Sequence, residues 1–132
     1  MDELTPVGIW IADTLADLVT AYRGMAPPDA PNPHVEYHTL ANTDSYYVGR
    51  ARALTEQVWQ IVAVMEEGYG ATQTEMSTLA AEIDSRIGGG RVMLPGGVEI
   101  LSRRREGQYS DIWERDGRTL LVLGGVYKLL VT

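Results

Sequence analysis

Residues 57–65, Gln57-Val58-Trp59-Gln60-Ile61-Val62-Ala63-Val64-Met65, decide the fold. They are β-branched and aromatic and apolar on both faces, the make-up of a strand covered from two sides. A helix competes for the same residues, because Leu54, Val58, Ile61, Val62 and Met65 also lie on one helical stripe and residues 50–57 contain no helix breaker. The four β-branched positions around Trp59 favour the strand. Glu66-Glu67-Gly68-Tyr69-Gly70 stops it. Thr72-Gln73-Thr74-Glu75 has the capping-box spacing, in which a hydroxyl accepts from the third amide of the helix and a carboxylate reaches back. Met76, Leu79, Ala80, Ile83 and Ile87 then form one apolar helical stripe, and Gly88-Gly89-Gly90 supplies the left-handed stop.

Upstream, Thr5-Pro6 is an N-cap followed by proline at the first helical position, where a missing amide hydrogen costs nothing. Val7, Ile11, Leu15, Leu18, Val19 and Tyr22 recur at helical spacing, so a first helix of about 17 residues is predicted, ending at Gly24. Residues 25–33 hold four prolines and read as an extended surface connection. His34-Val35-Glu36-Tyr37-His38-Thr39-Leu40 alternates like a strand with one wet face. Asn42-Thr43-Asp44-Ser45 has the chemistry of a turn, after which Tyr46-Tyr47-Val48 resumes pairing toward the long strand.

Downstream, Pro95-Gly96-Gly97 is a turn between two short apolar runs. Asp116-Gly117 between residues 109–115 and 118–131 is the strongest hairpin signal in the chain. The last strand is apolar on both faces, so it is central or covered by a second subunit, and Gly124-Gly125 marks a bulge or a close backbone approach. The expected fold is a single α+β domain over 1–132: two layers, a mainly antiparallel sheet of four or more strands, and two helices packed on one face.

With 132 residues one core is affordable without staples, and with no cysteine there is no disulfide and no thiol nucleophile. A formal charge of -7 argues against clamping nucleic acid or an anionic membrane. No apolar run reaches about 18 residues and Met1-Asp2-Glu3-Leu4 is acidic, so an intracellular, non-membrane product is expected. Seven tyrosines and three tryptophans beside no phenylalanine lean toward assembly.

Candidate chemistry is sparse. His34, Glu36 and His38 share one strand face and make a conceivable metal set, but a solvated strand face is the plainer reading and no third histidine exists. The glycine runs lack the strand-before, helix-after order of a phosphate loop. Arg103-Arg104-Arg105 is the basic cluster of the chain; in a strand, Arg103 and Arg105 would face one way and Arg104 the other. Solvation is its default, and pairing with carboxylates of a neighbouring subunit the alternative. No serine elbow or acid-base pair is present, so no catalysis and no cofactor is expected.

The helical N-terminus, the proline-rich link into Pro31-Asn32-Pro33-His34-Val35-Glu36-Tyr37, the strand Trp59-Gln60-Ile61-Val62-Ala63-Val64, the helix over 74–87 and the closing strands resemble the tail-terminator (tail-completion) proteins of long-tailed bacteriophages. That resemblance implies a structural virion protein: a homo-oligomeric ring, typically a hexamer, assembled in the host cytoplasm, that caps the head-proximal end of the tail tube. It implies as partners the tail tube protein and a neck or connector protein, with DNA passing the pore unbound. Within it, Arg103, Arg104 and Arg105 are expected in intersubunit or tube-facing salt bridges, Tyr46 and Tyr47 against a neighbouring ring, Trp113 as an interface anchor and Trp59 in the core. Rival readings are another head-tail connector or stopper, a tube subunit, or a small metal-dependent α+β enzyme using His34, Glu36 and His38.

Overall fold

The computed structural model describes residues 4–46, 52–68 and 73–132. Its order is α1 (Leu4–Leu15), β1 (Ala21–Arg23), β2 (His34–Tyr46), β3 (Arg52–Glu66), α2 (Gln73–Ile87), β4 (Val92–Met93), a 3₁₀ turn (Pro95–Gly97), β5 (Glu99–Arg115) and β6 (Arg118–Val131). Among the described residues the strands make one sheet in the order β1-β2-β3-β6-β5-β4. Every ladder is antiparallel except the short β1–β2 pair. The architecture is the expected α+β arrangement, with both helices on one face.

The long apolar run is strand from Arg52 to Glu66, paired on both sides. Trp59, Ile61, Ala63 and Met65 face the helices and join Val7, Ile11 and Leu15 of α1 and Met76, Ile83 and Ile87 of α2 in the main core. Val62 and Val64 face the other way and build a smaller cluster with Leu120 and Val122, on which Tyr109 and Trp113 pack. Two-sided burial is thus the reason β3 over residues 61–65 and β6 over residues 120–123 are apolar on both faces. At the Asp116-Gly117 turn both residues have positive φ, 52° and 74°, as a type I′ hairpin requires. Gly124 lies where β6 presses on β3: a Cβ there would sit 2.3 Å from the Ile61 carbonyl oxygen and 2.6 Å from the Val62 Cα. The glycine is therefore a close-approach position rather than a bulge.

Two expectations are corrected. The first helix stops at Leu15 instead of running to Gly24; Leu18 and Val19 turn back with amide bonds to the Leu15 carbonyl, and Ala21–Arg23 become a strand. The β-branched run Val19-Thr20 is a weak helix former, and the free edge of β2 offers a ladder in its place: the Val35 amide donates to Thr20 and the Gly24 amide to Tyr37. Asn42-Thr43-Asp44-Ser45 is not a turn. These residues continue β2 opposite Gln57, Glu56, Thr55 and Leu54, because a long partner strand outweighs local turn preference. Tyr47 and Val48 lie outside the described residues.

Candidate functional site

The arginine run sits on β5, with Arg103 opposite Leu129, Arg104 opposite Lys128 and Arg105 opposite Tyr127. Alternation puts Arg103 and Arg105 on the helix side and Arg104 on the opposite face. Arg103 is half-buried and held by the end of α2 rather than left to solvent alone. Its Nε donates to the Gly90 carbonyl at 2.8 Å, and its Nη1 to the carbonyls of Ile87 and Arg86 at 3.0 and 3.2 Å. Its guanidinium carbon stands 5.2 Å from the Trp10 ring centroid. A cation on the orphan carbonyls at the C-terminus of α2 is a helix cap. Burial lowers the Arg103 pKa from its usual value. The side chain is committed within the subunit, and the expectation of an intersubunit bridge falls to its neighbours. Arg104 meets Glu106 at 3.1 Å and Arg105 lies 3.8 Å from Asp84, both at exposed positions.

Opposite the helices, the reading of His34 and Glu36 as a solvated face is also corrected: they are 5% and 3% exposed. Glu36 accepts from Arg115 Nη1 and Nη2 at 2.7 and 3.0 Å, a bidentate pair. Arg115 and Glu36 lie on β5 and β2, with β3 and β6 between them, so the contact requires a sheet curled toward this face. The His34 ring faces Glu36 Oε2 through Nε2 at 3.0 Å and the Pro31 carbonyl through Nδ1 at 2.9 Å. Both partners only accept, so both bonds form together only when each ring nitrogen carries a hydrogen. Burial pushes the Glu36 carboxyl upward, but the bonds from His34 and Arg115 and the Arg115 charge outweigh it and hold the group at about 2.

This cluster clamps the proline-rich connection onto the sheet. Arg118 Nη1 donates to the Pro28 carbonyl at 3.2 Å, and the Glu66 amide donates to Asn32 Oδ1 at 2.9 Å. With its carboxylate taken by an arginine, Glu36 has no open geometry for a metal. Among the described residues no group of three metal-ligating side chains comes together. Trp113 is half-buried beside this clamp: its Nε1 donates to the Tyr109 hydroxyl at 3.1 Å, and Arg115 lies 5.3 Å from its ring. Tyr46 closes β2, opposite Arg52; Tyr47 lies outside the described residues.

The feature that residue-by-residue reading missed is the sheet's margin. Among the described residues, β1 covers β2 only at Val35, Glu36 and Tyr37, which leaves residues 38–46 without an outer partner strand. β4 covers β5 at Glu99 and Ile100, and Gly89 bridges Arg103, which leaves residues 104–115 open. The sequence marks only residues 109–115 as the strand before the hairpin; the continuity of β5 from Glu99 to Arg115, which Val92–Met93 is too short to flank, is a finding of the structure. Among the described residues no helix is long and apolar enough to cross a membrane.

No family model and no curated protein matches the chain. A solved structure is similar over 95% of this chain and 88% of that one, at 15% identity and a TM-score of 0.46. A likeness that distant carries no argument about the site.

Proposed function

We propose that this protein is a ring-forming structural component of a long-tailed phage particle, of the tail-terminator kind, that works by assembly and not by catalysis. The observation that supports the reading is the pair of unlike open strands on opposite flanks of one sheet. Two different surfaces on one subunit make a heterologous contact, which closes into a ring when the rotation between copies closes. The acidic balance of the chain fits a pore through which DNA slides, since like charge near phosphate repels and releases no counterions.

The test is native mass spectrometry and negative-stain imaging of the purified protein, alone and mixed with tail tubes. Discrete rings that seat on tube ends are expected. A strictly monomeric protein would overturn the proposal, as would open-ended polymers, which are the behaviour of a tube subunit.

A further inference from the structure

We infer that neighbouring copies join by strand addition, residues 38–46 of one copy running antiparallel along residues 104–115 of the next, with Leu40 seated against the apolar groove beside Ile112. The inference rests on the ring reading and goes further, in naming the seam, its direction and its register.

Direction follows from the count of long strands. The four long strands β2, β3, β6 and β5 alternate in direction across the sheet. An even number means that β2 and β5 run oppositely, so a head-to-tail copy turned about an axis along the strands meets its neighbour antiparallel.

Register follows from the two short strands, which act as stops. To use all of the open β2 segment without running into β4 or past the hairpin, residue 46 pairs no lower than residue 104 and residue 38 no higher than residue 115. These limits place Leu40 opposite residues 110–113. That window holds the groove formed by Met76, Ile112, Leu121 and Leu123 between α2 and the β5–β6 hairpin. Leu40 and Ile112 are 50% and 63% exposed, aliphatic side chains left in water at the two open strands. Two separate features, the positions of the stops and the positions of the exposed side chains, thus give the same register. The same direction carries Asp44 toward the end of β5 that bears Arg104 and Arg105.

The stagger is also of the right size. Within one subunit Leu40 is level with Arg104 and Arg105, through the pairs Thr39–Trp59–Tyr127–Arg105 and Ala41–Val58–Lys128–Arg104. Moving it to the level of Ser110 is a step of about four or five residues, roughly 15 Å. Four strands spaced about 4.8 Å apart and tilted 35–45° from the axis of a closed sheet accumulate about 13–19 Å.

The closing pair Arg115–Arg118 of a two-residue hairpin turns its backbone groups toward β6. Counting back, the amide of Ser110 falls on the outer edge. Ser110→Pro therefore removes a seam donor without touching the β6 ladder. Size-exclusion chromatography with light scattering should show the ring replaced by subunits, or its midpoint concentration for dissociation raised at least tenfold, with the circular dichroism of the wild type retained.

The chain has no cysteine, so Leu40→Cys with Ser110→Cys gives a direct reading. Mild oxidation should link copies into a covalent ladder up to the full ring, whereas either single variant should stop at dimers or below. Rings of unchanged mass and stability with Ser110→Pro, together with no ladder from the double-cysteine variant, overturn the seam and leave the ring reading standing. A monomeric wild type overturns both.

Discussion

Replacing Arg115 by methionine should be the most damaging single change on the face opposite the helices. The substitution keeps most of the apolar stem that packs beside Trp113 and removes the guanidinium that meets both oxygens of Glu36. Glu36 is 3% exposed, so its charge would be left with the His34 ring as its remaining side-chain partner. Removing one member of such a buried pair costs about 3–5 kcal/mol. The pH dependence gives a second route to a similar size. A carboxyl held at about 2 in the folded protein and at its ordinary value of 4.5 when unfolded stabilises the fold by roughly 3 kcal/mol. Because the folded value is the lower one, that contribution is complete above about pH 4.5 and is lost as pH falls toward 2. Urea unfolding at fixed protein concentration, at pH 7 and at a series of points down to pH 3, measures both. Arg115→Met should lower stability at pH 7 by about 3 kcal/mol and flatten the acid limb. Adding Glu36→Leu should recover part of the loss, since no charge is then left buried. A loss under about 1 kcal/mol for Arg115→Met, with the acid limb unchanged, would refute the assignment of this pair as the clamp.

Two further changes test the helix side and the strand contact. Arg103→Gln should cost about 2 kcal/mol by freeing the carbonyls at the end of α2, and Arg103→Lys should restore little of it, because a point charge cannot span three carbonyls; thermal melting of the three proteins decides. Gly124→Ala should lower stability by more than about 3 kcal/mol, because the added carbon meets backbone atoms of β3, while Gly107→Ala, with nothing within 4 Å, should shift it by under about 0.5 kcal/mol.

The elements legible in the sequence are those whose cause is local. β3 declares itself through β-branched residues that suit both faces, the β5–β6 hairpin through Asp116-Gly117, and α2 through its stripe and glycine stop. The misread ones are those decided by a distant partner. Asn42-Thr43-Asp44-Ser45 are turn formers by side chain, and only the length of β3 beside them makes them strand. Glu36 and Arg115 are 79 residues apart, and their meeting depends on the curl of a sheet whose intervening strands lie far along the chain. Arg103 reads as a surface cation in isolation and becomes a helix cap once α2 ends beside it. The alternation that separates Arg104 from its two neighbours follows from the strand period once residues 103–105 are known to be strand, which the continuous β5 supplies.

Strand edges that stay open need protection, and the ways in which this sheet is and is not protected bear on how it works. Soluble proteins blunt such edges with lysine, proline, a bulge or a covering strand. Residues 38–46 contain no lysine, arginine or proline, and Leu40, a large exposed aliphatic side chain among them, stands at a bulge. β5 does carry charges, but they are of both signs and compensate locally, as Arg104 with Glu106 and Lys128 with Glu106 show. Cover is supplied instead at opposite corners, by β1 over the start of β2 and by β4 over the start of β5. Cover at two corners does little to prevent association along the rest of each edge. What it does restrict is which stretches can meet and how far they can slide, a restriction that would select one ring over a population of slipped oligomers.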